Sequence, residues 1–138
     1  MVSCPLSGVM TVFEIKILLV GTSLIQLAKR VKNVKVIASA SSSTKLDFCS
    51  KLGADFTVNY KTDDVVARVK EFNPEGVNLI LDPVGGSMSE INAEILSRDG
   101  EWILYGLLGG GTVNFNLFNK LLAKRLFFQS NIQSGHFS

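Results

Sequence analysis

The chain has 138 residues, which is enough for one domain with a hydrophobic core of its own. An apolar fraction of 46% and a charged fraction of 19% indicate a globular chain rather than a disordered one. The 14 basic and 12 acidic residues give a net charge of +2, too small an excess to favour nucleic acid or an acidic membrane as a partner.

Cysteine and histidine are too few for most metal or hydrolase sites. Cys4 and Cys49 have no metal-ligand spacing and form no CxxC pair, so they indicate reduced thiols in a cytoplasmic protein. The single histidine, His136, lies close to the C-terminus, which disfavours a metal centre and a Ser-His-Asp hydrolase alike. Glu14 and Lys16 interrupt the apolar N-terminal residues, so we expect neither a signal peptide nor a membrane span.

The predicted elements begin with an apolar run in the first quarter of the chain. Residues 17–20 are continuously apolar, a pattern typical of a strand buried on both faces. Thr22 or Ser23 then caps a helix that extends to Val31. No element is assigned to residues 1–16.

Apolar runs and helix patterns continue to alternate along the rest of the chain. Further strands are predicted at residues 34–39, 56–60, 77–81, 102–105 and 126–128. Further helices are predicted from serines 41–43 to Leu52 before Gly53, from Asp63 or Asp64 to Pro74, through Ile91, Ile95 and Leu96, and over residues 117–124. This alternation predicts an α/β fold, a doubly wound parallel Rossmann sheet of about six strands, in a single domain over residues 17–138.

In a doubly wound sheet, ligands bind outside the carboxyl ends of the strands, so the residues after each strand are candidates for a site. After the first predicted strand, Gly21 and Thr22 stand in place of a full G-x-G-x-x-G, which fits a weak phosphate site or a generic turn. After the second, Ser41 and Lys45 replace the acid of an NAD site and suit a 2′-phosphate. A serine-rich helix cap with a solvent-facing lysine is the alternative.

Two glycine-rich stretches follow the fourth and fifth predicted strands. Gly85 and Gly86 follow the fourth strand, while Gly106 and residues 109–111 follow the fifth. Glycines at this edge let the backbone approach a flat ring closely, although ordinary turns also use them. Two such stretches at one edge of a sheet favour a ligand there.

Several segments match one known family in the same order. They are residues 27–29, 51–55 (Lys-Leu-Gly-Ala-Asp), 59–61 (Asn-Tyr-Lys), 76–86 and 99–111. Over residues 17–134 the chain resembles the cofactor domain of the zeta-crystallin-like quinone oxidoreductases, in the medium-chain dehydrogenase/reductase superfamily. Residues 99–125 most resemble the tumour-suppressor-inducible members of that group.

The resemblance implies a Rossmann domain that binds NADPH and a metal-free transfer of hydride from NADPH to a quinone, with the cofactor supplying the chemistry. The implied cofactor-binding residues are Gly21 and Thr22 at the pyrophosphate, Lys45 and Tyr60 at the 2′-phosphate beside Ser41, and Pro83, Val84, Gly106, Leu107 and Leu108 along the adenosine and nicotinamide path. No catalytic residue and no metal ligand is assigned in this chain.

The chain also departs from the family's pattern. About six residues are expected to be missing between Val20 and Gly21, or just before Val20, which would remove amides that hold the pyrophosphate. The family's substrate domain and its last C-terminal elements are absent, so we expect a truncated domain that does not reduce quinones alone. A non-catalytic NADP-binding or interaction module is the alternative function. A methyltransferase-like domain is disfavoured by the loops after the fourth and fifth strands.

The last predicted strand is expected to be an edge of the sheet. Phe127 and Phe128 would present apolar side chains and unpaired backbone groups there. The resemblance implies that two copies pair at this edge across a two-fold axis to make a homodimer. A disordered segment and non-specific aggregation are the alternatives.

Overall fold

A computed structural model gives the fold and describes residues 8–13, 18–30, 34–106, 108–112 and 127–130. Within these residues the strands are β1 Gly8–Phe13, β2 Val34–Ala40, β3 Phe56–Asn59, β4 Val77–Asp82, β5 Leu96–Leu104 and β6 Phe127–Ser130. The helices are α1 Leu18–Lys29, α2 Ser43–Lys51, α3 Val65–Phe72 and α4 Ser89–Ile95, with a 3₁₀ turn at Gly86–Met88.

The strands form one parallel sheet in the order β3-β2-β1-β4-β5-β6. Every neighbouring pair is parallel, so all the carboxyl ends lie at the same edge. This is the strand order of the Rossmann fold, in which the direction of winding reverses between β1 and β4. The predicted α/β class and the parallel Rossmann-like sheet are confirmed.

The predicted position of the first strand is wrong. Leu18, Leu19 and Val20 form the first turn of α1, and the central strand is β1, which lies in the stretch left without an element. A short apolar run cannot be assigned to helix or strand by periodicity alone, which is why the prediction failed. Residues 14–17 separate β1 from α1, and the deletion expected near Val20 stays a prediction.

Local capping chemistry fixes α2 and α3 where the sequence predicts them. Ser42 is the N-cap of α2, and its side-chain oxygen accepts a hydrogen bond from the Lys45 amide at 3.4 Å. Gly53 follows α2 with a φ of +110°, a left-handed conformation that favours glycine. Asp64 caps α3 by accepting from the Ala67 amide at 3.1 Å.

The ends of α4 and β5 differ from the prediction. Helix α4 ends at Ile95, so Leu96 begins β5 instead of completing the helix. The register between β4 and β5 shifts between Val77 and Leu79, and Asp99 has a φ of 62° in the same stretch. The predicted helix at residues 117–124 lies outside the described residues.

Two hydrophobic clusters cover the two faces of the sheet. One joins α1 and α2 to the sheet and contains Ile25, Ala28, Val34, Val36, Ala38, Cys49, Leu79 and Ile103. The other joins α3 and α4 to the sheet and includes Ile37, Val58, Val65, Val69, Ile80, Ile95 and Trp102. Burial on both faces explains why the strands are nearly continuous apolar runs.

An ion pair joins α1 to the start of β3. Lys29 Nζ lies 2.9 Å from a carboxylate oxygen of Asp55, which also accepts from the Val36 amide at 2.8 Å. Burial acts to raise the pKa of Asp55, but hydrogen bonds from Val36 and Lys29 and the charges of Lys29 and Lys35 outweigh it and lower that pKa.

Among the described helices, none has the length and apolar content needed to cross a membrane.

Candidate functional site

The carboxyl edge of the sheet brings most of the predicted site residues to one side of the molecule. Ser41 follows β2, Tyr60 follows β3, Pro83 follows β4 and Gly106 lies two residues beyond β5. The parallel order predicts this juxtaposition, because the strands all end at the same edge. Leu107 lies outside the described residues.

The turn between β2 and α2 carries polar side chains that have no partner in the part of the chain that the structure describes. The side chains of Ser41 and Lys45 are half-buried and make no hydrogen bond or ion pair with any described residue. The hydroxyl of Ser39, at the end of β2, is buried and has no partner among the described residues. The Tyr60 amide donates to the Ala40 carbonyl at 3.2 Å, which holds the end of β3 beside this turn.

No acid directly follows β2 in the sequence. Asp47 is the first acidic residue after this strand, and it is exposed one turn into α2. An acid directly after the second strand bonds the ribose 2′-hydroxyl of NAD and repels a 2′-phosphate. Hydroxyls with the Lys45 ammonium favour a phosphate instead.

On the other side of the switch point, the loops after β4 and β5 form what we call the double loop, residues 83–87 with residues 108–112. Four backbone hydrogen bonds join them: Leu108 N to Pro83 O at 3.1 Å, Gly109 N to Val84 O at 2.7 Å, Gly86 N to Gly110 O at 2.7 Å and Ser87 N to Gly109 O at 3.1 Å. The backbone groups of one loop therefore satisfy those of the other.

Close contacts explain three glycines of this region, with backbone atoms at Gly86 and Gly106 and with side-chain atoms at Gly109. A Cβ atom on Gly86 would lie 2.5 Å from the Thr112 carbonyl oxygen, and one on Gly106 would lie 2.6 Å from that of Pro83. A Cβ atom on Gly109 would overlap the Ser87 hydroxyl. Of the two roles that the sequence left open, packing of the turns accounts for these three glycines.

A buried carboxylate, Asp82, holds the double loop to the sheet. One oxygen accepts from the amides of Val84 at 2.7 Å and Gly85 at 3.1 Å. The other accepts from Asn92 Nδ2 at 2.8 Å and Trp102 Nε1 at 3.0 Å. Asp82 is fully buried, and all four of these donors are satisfied through it.

Burial shifts the pKa values of two groups in this cluster. Burial raises the pKa of Asp82 above its ordinary value, although its four hydrogen bonds act in the opposite direction. Burial and the nearby charge of Asp82 raise the pKa of Tyr105 to about 12, so its phenol stays protonated at neutral pH. Sequence reasoning missed Asp82 as an organising residue. The available signal was an acid closing an otherwise apolar strand.

With this geometry described, residues 20–137 match the family model described as zinc-binding dehydrogenase. The chain belongs to the zinc-binding dehydrogenase family. The match covers most of the chain and places this family member in the medium-chain dehydrogenase/reductase superfamily. Among the described residues of this dehydrogenase domain, no group of three His, Cys, Asp or Glu side chains is placed to hold a metal ion.

Two curated relatives of the family are similar over the same region. The chain is 34% identical over 88 residues to the synaptic vesicle membrane protein VAT-1 homolog of Homo sapiens, covering 64% of the chain and 22% of the relative. It is 34% identical over 90 residues to prostaglandin reductase-3 of Mus musculus, covering 65% and 24%. The matched part thus spans less than a quarter of either relative.

The fold also matches solved structures of the superfamily. The Escherichia coli quinone oxidoreductase, solved as a complex with NADPH, superposes with a TM-score of 0.79 at 26% identity. That match covers 91% of this chain and 39% of the solved chain. It supports a nicotinamide cofactor as the ligand class of the family.

The residues of this dehydrogenase domain suit the 2′-phosphate of such a cofactor but not its pyrophosphate. The turn after β2 holds hydroxyls without partners among the described residues, together with Lys45, a set that suits a 2′-phosphate. The connection between β1 and α1 does not suit a pyrophosphate, because residues 9–20 contain no glycine. Gly21 and Thr22, expected directly after the first strand, are instead the fourth and fifth residues of α1.

Proposed function

We propose that this chain is the NADPH-binding domain of a reductase of the quinone oxidoreductase type, resembling the zeta-crystallin-like group. In the reaction, NADPH would transfer a hydride to a quinone, and the protein would orient the two. The proposal is supported by the Rossmann strand order and by the NADPH-bound quinone oxidoreductase among the structural neighbours.

One observation carries the cofactor assignment. Ser41 and Lys45 lie at the carboxyl end of β2 without partners among the described residues, and no acid directly follows that strand in the sequence. A lysine ammonium forms charge-assisted hydrogen bonds with phosphate, each worth roughly 1.5–3 kcal/mol. The 2′-phosphate is the group that distinguishes NADPH from NADH, so this turn would select NADPH.

The test is a calorimetric titration of the purified chain with NADPH and with NADH. We expect NADPH to bind about tenfold more tightly or better, since about 1.4 kcal/mol corresponds to tenfold. Lys45→Glu should abolish the preference. Lys51→Glu, the same charge change at the exposed far end of α2, should leave it intact. Equal affinity of the parent chain for both cofactors would contradict the assignment.

A second candidate is a non-catalytic NADP-binding or interaction module. The glycine-free connection between β1 and α1 favours it, because hydride transfer needs a precisely held nicotinamide. A turnover assay separates the two functions. For this chain assayed alone we expect NADPH binding without saturable quinone reduction, and saturable NADPH oxidation by a quinone would establish the enzyme.

We also propose that two copies pair through β6. This strand is the last in the sheet order and pairs with β5 on one side, so among the described strands its other side is an open edge. Light scattering should show a dimer for the parent chain and a monomer for Phe128→Lys, while Thr44→Lys on exposed α2 stays dimeric. A monomeric parent, or a dimer unaffected by Phe128→Lys, would defeat the proposal.

A further inference from the structure

We infer that this site binds 2′-phosphorylated adenosine nucleotides as a class, with the affinity coming from the adenosine 2′-phosphate end and little from the pyrophosphate. The inference rests on the proposed function and narrows its ligand. It predicts that the chain does not distinguish intact NADPH from the adenosine half of the molecule. The argument compares two connections at the carboxyl edge, one after β1 and one after β2.

The connection after β1 is where a Rossmann domain receives the pyrophosphate, at the start of the helix beside the switch point. In this chain it consists of Glu14, Ile15, Lys16 and Ile17. Each of these residues carries a Cβ atom, whereas glycine lets the backbone amides come close to phosphate oxygens. The two charges cancel, so no net positive charge compensates for the missing glycines.

The spacing of the motif shows which glycine is left. Counting back from Gly21, G-x-G-x-x-G requires glycines at positions 16 and 18, where the chain has Lys16 and Leu18. The first glycine of the motif makes the tight turn and the second admits the pyrophosphate, while the third serves helix–strand packing. Gly21 lies inside α1, so the retained glycine is the packing one.

The connection after β2 keeps its capacity for a ligand. Ser42 is used as the cap of α2, but Ser41 and Lys45 have no partner among the described residues. The buried Ser39 hydroxyl beneath the turn is also unpartnered there. The two ends of the dinucleotide site therefore differ: side chains without partners among the described residues lie at the 2′-phosphate end, whereas residues 9–20 supply no glycine at the pyrophosphate end.

The deciding experiment is a titration of the full chain with NADPH, adenosine 2′,5′-bisphosphate and ADP. We expect NADPH and the bisphosphate to bind within about threefold of each other, and ADP, which lacks the 2′-phosphate, about tenfold more weakly or worse. NADPH binding about thirtyfold more tightly than the bisphosphate would overturn the inference and leave the proposed function standing. ADP as tight as the bisphosphate would also overturn it. Binding of none of the three would reject both.

A variant adds an independent test. Lys16→Gly/Leu18→Gly restores the motif spacing with Gly21 and should tighten NADPH about tenfold while leaving the bisphosphate unchanged. Gln26→Gly/Leu27→Gly, at exposed positions of the same helix, controls for loss of helix stability and should change neither affinity. A folded motif variant, judged by circular dichroism, with unchanged NADPH affinity would overturn the inference. Should the variant not fold, the titration of the parent chain decides alone.

Discussion

The turn after β2 and the double loop lie at the same edge of the sheet, yet their polar groups are used in opposite ways. In the turn, the side chains of Ser41 and Lys45 have no partner among the described residues. In the double loop, four backbone hydrogen bonds and the Asp82 carboxylate satisfy the loops internally. Glycine content and edge position therefore do not distinguish a packing role from a ligand role, and cofactor binding by Pro83, Val84, Gly106 and Leu108 stays a prediction.

The largest effect should follow from Asp82. Asp82→Leu leaves four buried donors without an acceptor, and each unsatisfied buried donor costs about 1–3 kcal/mol of unfolding free energy. Asp47→Asn, at an exposed position of α2, should change it by less than about 0.5 kcal/mol. Urea unfolding of the two variants and the parent measures both values. Similar small losses for both would show that the double loop does not depend on Asp82.

A smaller loss is expected from crowding the double loop. Gly86→Ala places a methyl group against the Thr112 carbonyl and should cost about 1–3 kcal/mol. Gly110→Ala has open space around its Cβ atom but a φ of +93°, so only the conformational cost of about 1 kcal/mol applies. Urea unfolding of Gly86→Ala and Gly110→Ala measures which variant loses more unfolding free energy. A greater loss at Gly110 would mean that backbone conformation, and not contact between the loops, dominates.

The pH dependence of stability should distinguish Asp82 from Asp55. The folded-state pKa of Asp82 is raised, so its contribution makes the unfolding free energy fall as pH rises from 3.8 through that raised pKa. The folded-state pKa of Asp55 is lowered, so its contribution is present above pH 3.8 and is lost as pH falls through the lowered pKa. Unfolding curves across acidic pH for the parent, Asp82→Asn and Asp55→Asn test this. Asp82→Asn should lack the fall in unfolding free energy with rising pH, and Asp55→Asn should lack the loss of unfolding free energy with falling pH. Identical pH profiles in all three proteins would refute these two pKa shifts.

Elements that depend on neighbouring residues were predictable from the sequence. Ser42, Gly53 and Asp64 act within one turn of their own helix, so the bounds of α2 and the start of α3 follow from local chemistry. The common edge of the site was predictable for a different reason, since parallel strands place all their carboxyl ends together.

Features that depend on distant residues were not predictable. The position of β1 depends on its pairing with β2 and β4. The first turn of α1 is a short apolar run, and such a run has the same sequence pattern as a buried strand. The partners of Asp82 include Asn92 and Trp102, ten and twenty positions further along the chain. The double loop likewise joins segments that no local pattern connects, so the role of its glycines is visible only in the fold.

The most direct test of where the nucleotide binds is an NMR titration of the ¹⁵N-labelled chain with NADPH. The account predicts that the amide signals of residues 41–45 and of Tyr60 shift in a saturable way, because these groups surround the carboxyl end of β2. Saturable shifts that avoid these residues, or none at all at millimolar NADPH, would contradict the assignment of this turn as the nucleotide site.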